Sequence, residues 1–93
     1  MGLKFEWDPN KAARNKQKHK VSFEEATTVF ADPLSATVFD PDHSDDEDRY
    51  IIVGFSERQR LLIVSYAEPD NRIRIISARE LTSLEKKEYE EEF

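Results

Sequence analysis

The spacing of apolar residues divides the chain into a first part with helices and a second part with strands. Residues 3–7 alternate between apolar and polar side chains, the period-two pattern of a strand with one buried face. A polar helix is predicted over residues 9–19, and apolar residues recur at helical spacing over residues 22–32. After Pro33 the period returns to two. Further strands are predicted at residues 34–39, 50–55, 61–67 and 72–79, followed by a last helix that ends at Phe93.

The helix starts carry capping residues. Asp8 precedes a proline, so the aspartate suits the N-cap position and the proline suits the first helical position. Ser22 with Glu25, and Thr82 with Glu85, have the spacing of capping boxes. In a capping box the hydroxyl accepts a backbone hydrogen bond and the glutamate reaches back to the cap. These residues predict where the three helices begin.

The predicted order of elements is β-α-α-β-β-β-β-α. Residues 56–60 and 68–71 are short polar connections, and strands joined by short turns pair antiparallel. The sequence therefore predicts an α+β fold in which helices pack on one face of a small antiparallel sheet. A chain of 93 residues without a linker or repeat is expected to form one domain, residues 1–93, with a single core.

Composition narrows the classes of function. The chain has no cysteine, which excludes disulfides and thiolate chemistry, and no apolar run approaches the ~20 residues that span a bilayer. Nothing resembles a signal peptide, so a cytoplasmic protein without membrane contact is expected. The net charge of −6 comes largely from Asp40–Asp48 and Glu85–Glu92, and the remainder of the chain is mildly basic. That body could attract nucleic acid despite the acidic total.

The sequence lacks the usual patterns of a metal site and of a glycine-rich phosphate-binding loop. The acidic run at residues 40–48 suggests calcium or magnesium, but Asp45 stands where an EF-hand needs glycine and Ile51 where it needs glutamate. A solvated hairpin tip is the favoured interpretation. His19 and His43 lack the spacing of a zinc site, and two glycines cannot build a phosphate loop. No cofactor is expected.

Arginine is concentrated in residues 72–79. Arg72 and Arg74 alternate with isoleucines and share the polar face of the predicted strand with Ala78, whereas the same period places Arg79 on the opposite face unless the strand has ended. A guanidinium fixed on a sheet can bind a phosphate with bidentate geometry. The alternative is a solvated face paired with neighbouring carboxylates, as edge strands often carry.

The remaining basic residues also have two interpretations. Lys18-His19-Lys20 closes the first helix, where cations suit the helix dipole, and Arg58 and Arg60 lie in a polar hairpin connection. If these groups converge with the strand arginines, they could bind an RNA phosphate and stabilise the charge that builds on it during cleavage. RNA scission needs a base for the 2′-hydroxyl, a cation and help for the leaving oxygen.

Four short motifs stand in order along nearly the whole chain. They are Phe5-Glu6-Trp7-Asp8 with Lys11, Lys18-His19 followed by Val21-Ser22-Phe23-Glu24-Glu25-Ala26, Phe30 with Asp32-Pro33, and Ile73-Arg74-Ile75-Ile76-Ser77-Ala78-Arg79. Together they resemble the BrnT family, the toxin half of a bacterial type II toxin–antitoxin pair. The resemblance implies a RelE-like fold and a metal-independent endoribonuclease that arrests translation. It also implies neutralisation by a BrnA-like ribbon-helix-helix antitoxin, with contact to DNA only through that partner.

The resemblance suggests roles for individual residues. It implies that Arg60 and Arg79 bind phosphate and stabilise charge in the catalytic site. Proton transfer falls to His19 or, as an alternative, Glu57, with electrostatic help from Lys18. Further RNA contacts are expected from Arg58, Arg72 and Arg74.

Three positions depart from the family pattern. Lys20 and Gln59 stand where glycine is usual, at a helix end and in a hairpin that would use a positive φ. Glu80 follows Arg79 where further basic residues are usual, and an acidic tail beside the site would repel RNA or imitate it. A second function therefore stays open, a binding module that keeps the antitoxin interface but has lost catalysis. The two differ in whether the arginines converge with His19 in a cleft, which an unrelated α+β domain would lack.

Overall fold

A five-stranded sheet forms the centre of the protein. The computed structural model describes residues 2–43 and 47–92, so part of the acidic segment at residues 40–48 lies outside the described residues. The strands are β1 (Phe5–Glu6), β2 (Ala36–Asp40), β3 (Arg49–Phe55), β4 (Leu61–Ala67) and β5 (Ile73–Glu80). The helices are α1 (Pro9–His19), α2 (Phe23–Val29) and α3 (Ser83–Glu92), with 3-10 turns at Pro41–His43 and Pro69–Asn71. The predicted order of elements and the α+β class are confirmed.

The sheet is mixed rather than antiparallel. Its strand order is β1-β5-β4-β3-β2, and β2 to β5 form the predicted antiparallel meander. The prediction was wrong for β1, which runs parallel to β5, with Phe5 opposite Ile73 and Glu6 opposite Arg74. Short turns determine the pairing only of strands that are neighbours in sequence. β1 is also limited to two residues instead of the predicted stretch 3–7.

The helix starts agree with the predicted caps. The Asp8 carboxylate accepts a hydrogen bond from the Asn10 backbone N–H at 2.8 Å. The Ser22 hydroxyl accepts from the backbone N–H of Glu25 at 3.0 Å. The Thr82 hydroxyl accepts from the backbone N–H of Glu85 at 3.2 Å, in front of α3. Each cap satisfies a backbone donor that the first helical turn leaves without a partner.

The core lies between α1, α2 and one face of the sheet. Phe23 and Val29 of α2 are fully buried against Leu62, Val64 and other strand residues. The remaining members of this core are Val21, Ala26, Ile52, Tyr66, Ile73, Ile75 and Ala78. We call the opposite face of the sheet, which α1 and α2 do not cover, the outer face.

A β-bulge in β5 decides which side chains reach the outer face. Ser65 of β4 pairs with Ser77, but the next residue, Tyr66, pairs with Ile75, so Ile76 is an extra residue in β5. An extra residue shifts the inward–outward alternation by one position. Ile75 and Ala78 are therefore both buried in the core.

Asn15 of α1 completes the pairing of β5 beside the bulge. β1 pairs with Ile73 and Arg74, and within residues 2–43 and 47–92 the edge of β5 beyond Arg74 has no neighbouring strand. The buried Asn15 amide donates to the Ala78 carbonyl at 2.8 Å and accepts from the Ala78 N–H at 3.1 Å. It also donates to the Val21 carbonyl at 3.0 Å, which fixes the turn between the two helices. One side chain thus does for Ala78 what a further strand would do.

The segment between α2 and β2 packs against the end of β3 at a glycine. Asp32 accepts from the backbone N–H of Leu34 at 3.0 Å and from that of Phe55 at 2.8 Å. A Cβ atom added at Gly54 would lie 2.9 Å from the Asp32 carboxylate and 2.9 Å from Ser35 Cβ. Only glycine allows this close approach.

Candidate functional site

Arg79 lies on the outer face and not on the core face that simple alternation predicted. The bulge at Ile76 is the reason, since it turns Ala78 inward and the next residue outward. Arg79 borders a hollow of about 270 Å³ in the middle of this face. The hollow is lined by Asp40, Arg49, Ile51, Ile63, Ser65, Ile76, Ser77 and Arg79. Guanidinium groups around an apolar floor suit the phosphates and bases of a nucleic acid strand.

Arg49 borders the hollow on the side away from Arg79. It is paired in register with Asp40 of β2, and it lies four residues along β3 from Val53, the strand neighbour of Ile63. Arg79 is the partner of Ile63 in β5. The two arginines are therefore offset by about 13 Å along the strands and by two strand spacings, about 10 Å, across them. They are positioned to contact an extended ligand at two points.

The guanidinium of Arg79 is held by a carboxylate from α3. Its Nη1 donates to Glu85 Oε1 at 2.8 Å and its Nη2 donates to Glu85 Oε2 at 3.0 Å, a bidentate pair. Arg79 and the N–H of Thr82, which also donates to Glu85, lower the pKa of the glutamate to about 2. The same pairing raises the pKa of Arg79. Both side chains remain about one-third exposed.

Arg60 occupies a different place, at the corner between α2, the hairpin and the end of β5. Its Nε donates to Glu25 Oε2 at 2.9 Å, and its Nη2 donates to the Lys20 carbonyl at 3.0 Å and to Glu25 Oε1. Its Nη1 reaches Glu80 at 3.4 Å. This set uses most of the donors of the guanidinium. The arginine ties the end of α1, the start of α2 and the end of β5 together.

Glu25 is the buried anion of that corner. The sequence predicts that its carboxylate reaches back to cap α2, but the carboxylate is directed at Arg60 and at the Ser56 hydroxyl, which donates at 2.7 Å. The hydrogen bonds from Arg60 outweigh the effect of burial and lower the pKa of Glu25. Glu25 in turn raises the pKa of Arg60. The hairpin connection is thereby anchored to α2.

Lys18 and His19 lie at the end of α1, along the open edge of β5. His19 is one helical turn after Asn15, so the two share a helix face, and Asn15 contacts Ala78. His19 is half-buried, whereas Lys18 is exposed. The bond from Arg60 to the carbonyl of Lys20 holds this helix end against the sheet corner.

Arg72 and Arg74 form ion pairs with carboxylates. Both contact Glu6 of β1, Arg74 Nε at 2.8 Å and Arg72 Nη1 at 3.3 Å. Arg74 also reaches Glu47 at 3.3 Å, from the described end of the acidic segment. These two arginines lie at the start of β5, away from Arg79 at its end. Of the two interpretations of these arginines, phosphate binding and pairing with neighbouring carboxylates, the structure shows the pairing.

The predicted basic residues thus form separate groups instead of one cleft. Arg79 is on the outer face, Arg60 at the core-side corner, and Arg72 with Arg74 at the far end of β5. Arg58 and the alternative proton-transfer residue Glu57 are exposed in the hairpin. Arg79 is bound to Glu85 of α3 and borders the hollow on the outer face.

The two residues that replace glycine adopt the backbone conformation that glycine favours. Lys20 has φ 61° and ψ 29° and forms the left-handed C-cap of α1, with its N–H donating to the Lys16 carbonyl. Gln59 has φ 65° in the hairpin. A non-glycine residue in this region costs about 1 kcal/mol. The chain keeps these two turns at that cost.

Three residues with a part in this arrangement are not predicted by the sequence pattern. Arg49 follows the acidic segment and belongs to none of the basic motifs, although its position at the start of a strand is a signal for it. Asn15 is an asparagine inside a polar helix, where nothing in the pattern distinguishes it from its exposed neighbours. The spacing of Glu25 from Ser22 is that of a capping box, which gives no sign of its contact with Arg60. Only contacts between distant parts of the chain reveal these roles.

Two classes of feature are not found in the part of the chain that the structure describes. Residues 2–43 and 47–92 contain no group of three histidine, cysteine or acidic side chains placed to hold a metal ion. Within the same residues, no helix is long and apolar enough to cross a membrane.

Comparison with known proteins identifies the family. A family model described as the ribonuclease toxin BrnT of type II toxin–antitoxin systems matches residues 7–85. The chain belongs to the BrnT family. It is a BrnT-type ribonuclease toxin of a type II toxin–antitoxin system, a class of proteins that act with an antitoxin partner. A search among curated proteins found no match.

A solved BrnT protein has a similar fold. The crystal structure of the ribonuclease toxin BrnT from Brucella abortus is similar to this structure with a TM-score of 0.64, at 18% sequence identity. The similarity covers 88% of this chain and 100% of that one. The mixed five-stranded sheet with its helices is therefore a BrnT-like fold.

Proposed function

We propose that this BrnT protein uses Arg79 in a catalytic site that cleaves RNA, and that this cleavage arrests translation. The observation that carries the proposal is the position of Arg79, on the open face of the sheet, beside a hollow with an apolar floor and a second arginine. The end of α1, with Lys18 and His19, lies along the neighbouring edge of the same strand. A phosphate at this end of β5 would have a guanidinium on one side and a proton-transfer group on the other.

The proposed reaction is an attack by the RNA 2′-oxygen on the adjacent phosphorus. The new P–O bond forms as the bond to the 5′-oxygen breaks, the 2′-hydroxyl gives up its proton and the leaving oxygen receives one. His19 is assigned the proton transfer, with Glu57 as the alternative, because a neutral imidazole can accept a proton near neutral pH. Arg79 is assigned to stabilise the negative charge that develops on the phosphate. The ammonium group of Lys18 adds to the positive field.

The guanidinium of Arg79 supplies the cation of this scheme, so we propose that cleavage needs no metal ion. Addition of EDTA should leave the rate of RNA cleavage unchanged within about twofold. A loss of activity in EDTA that Mg²⁺ restores would contradict this part of the proposal.

The other arginines receive supporting roles. Arg60 is retained as a candidate phosphate ligand, but its contacts with Glu25 would have to break first, so its main contribution is to hold the end of α1 in place. Arg58, Arg72 and Arg74 would attract the RNA backbone over a longer path across the surface. Their contribution should weaken with added salt.

We further propose that a BrnA-like ribbon-helix-helix antitoxin neutralises the toxin. Family membership implies an antitoxin partner, and such a partner would also supply the DNA binding of an autoregulated pair. Co-expression of a candidate antitoxin from the same operon should restore growth and yield a complex that survives size-exclusion chromatography.

A second function is favoured by two observations. The predicted arginines lie in separate groups. The guanidinium groups of Arg79 and Arg60 are both occupied by carboxylates, from Glu85 and from Glu25 with Glu80. A protein that keeps the fold and the antitoxin interface but has lost catalysis would tolerate such pairs permanently. It would bind antitoxin and leave RNA intact.

Growth of a bacterial host after induction of the chain alone separates the two functions. The native chain should arrest growth, Arg79→Ala should not, and Arg79→Lys should be intermediate because it keeps the charge but not the bidentate geometry. Arg14→Ala is the matched control, an exposed arginine of α1 outside the proposed site. Soluble expression of all variants is verified by immunoblot. No arrest by the native chain, with well-folded protein, would favour the binding module.

A further inference from the structure

Helix α3 touches the rest of the protein through one narrow face. Among its described side chains, residues 83–91, only Glu85 and Tyr89 are partly buried, and they are one helical turn apart. Glu85 binds Arg79 at the end of β5, and the Tyr89 hydroxyl donates to the Leu34 carbonyl, just before β2, at 3.1 Å. The helix therefore reaches from one side of the four-stranded meander to the other with a contact at each end.

The contact at Arg79 has the geometry that a phosphate would use. Both carboxylate oxygens of Glu85 face the two terminal nitrogens of the guanidinium, at 2.8 and 3.0 Å. Arginine binds two phosphate oxygens through the same pair of donors. Glu85 and an RNA phosphate thus compete for the same atoms.

The charge of α3 opposes RNA at the same place. Residues 85–92 carry five glutamates and two lysines, next to the arginine that the proposed function assigns to the phosphate. The net negative charge of this segment would repel an RNA phosphate that approaches Arg79.

We propose that α3 is an inhibitory segment that keeps Glu85 on Arg79 in place of an RNA phosphate, and that binding of single-stranded RNA displaces it. The inference rests on the proposed function, because it names what regulates the same site. The helix can leave without exposing much of the core, since Glu85 and Tyr89, the described side chains with which it faces the rest of the protein, are themselves only partly buried. Its capping box stays intact after release, because Thr82 and Glu85 bond to each other within the helix start.

The test measures binding of a fluorescent single-stranded RNA oligonucleotide with 2′-O-methyl groups, which cannot be cleaved through the 2′-oxygen. Full-length native protein is compared with Glu85→Gln, which removes the charge and keeps an amide able to serve in the capping box. Glu88→Gln is the matched control, the same charge change at an exposed position of α3. Tyr89→Phe loosens the helix at its other end without touching Arg79, and Arg79→Ala reports whether the arginine binds the RNA.

Glu85→Gln is expected to bind the RNA about five- to tenfold more tightly than the native chain, and Tyr89→Phe about twofold more tightly. Glu88→Gln should stay within about twofold of native, and Arg79→Ala should bind more weakly. In the native protein, amide hydrogen exchange of residues 83–91 should accelerate when RNA is added.

Two results would overturn the inference, and they differ in what else they overturn. If Glu85→Gln and Glu88→Gln bind RNA equally well while Arg79→Ala binds weakly, α3 does not inhibit the site and the proposed function stands. If Arg79→Ala binds RNA as well as the native chain does, the arginine is not the phosphate ligand and both proposals fail.

Discussion

The hydrogen bonds of Asn15 offer the sharpest test of how the site is held in place. The side chain is buried and makes three bonds, to the N–H and carbonyl of Ala78 and to the carbonyl of Val21. Asn15→Ala removes all three and leaves three backbone groups without a partner. Each orphaned buried group costs about 1–3 kcal/mol, and water entering the vacated space recovers part of that cost. We expect a loss of about 3 kcal/mol, a large part of the total of about 5–15 kcal/mol for a domain.

Urea denaturation followed by tryptophan fluorescence measures this loss. Trp7 is the only tryptophan, and its ring packs edge-on against the core residue Phe23 with centroids 5.9 Å apart, so its emission reports unfolding. The midpoint should fall and the slope with urea should stay the same. Asn10→Ala, at an exposed asparagine of the same helix, is the control and should change stability by less than about 0.5 kcal/mol.

Asn15→Asp tests the donated hydrogen bonds of this side chain separately from the accepted one. The carboxylate still accepts from the Ala78 N–H but cannot donate to the two carbonyls, so this variant should be no more stable than Asn15→Ala. A loss below about 1 kcal/mol for Asn15→Ala would refute the reasoning, because the edge of β5 would then not depend on the side chain.

Three further predictions follow from the backbone and the ion pairs. Gly54→Ala should destabilise the fold by about 2 kcal/mol in the same urea assay, because the new Cβ would lie 2.9 Å from the Asp32 carboxylate. An unchanged urea midpoint would mean that Asp32 can move away from the new methyl group without loss of stability. Lys20→Gly should raise stability by about 1 kcal/mol because it relieves the positive φ, and any loss would contradict the argument from strain. The carboxyl ¹³C shift of Glu85 should titrate with a pKa of about 2. Because the pKa is lowered by folding, the pair stabilises α3 fully above pH ~4.5 and loses its effect as the pH falls toward 2, whereas a pKa at the ordinary glutamate value of 4.5 would exclude the pair.

The sequence predicted those parts of the fold that depend on neighbouring residues. The three helix caps depend on spacings of two or three residues, and each of them forms. The strands of the meander follow from alternation and short turns, and they pair as predicted. The parallel pairing of β1 with β5 joins residues more than 60 positions apart, so no local pattern carries it.

The candidate site was less predictable for the same reason. The period of β5 placed Arg79 on the core face, and the extra residue at Ile76 reversed this, although isoleucine gives no turn or bulge signal in the sequence. Glu25 has the spacing of a cap residue, but its carboxylate binds Arg60, 35 positions away. A side chain with a sufficient local explanation can still be used by a distant part of the chain.

The free edge of β2 bears on the solubility of the protein. Among the described strands, β2 has a neighbour on the side of β3 alone. Val38 and Phe39 of β2 are 56% and 48% exposed, so its other edge could accept a strand from a second molecule. The strand ends at Asp40 and runs directly into the acidic residues that follow. A second copy that added its own β2 in parallel would bring its Asp40 and Asp42 close to those of the first copy, and the repulsion would oppose this pairing. The acidic residues that follow β2 can thus protect an apolar strand edge from pairing with another molecule.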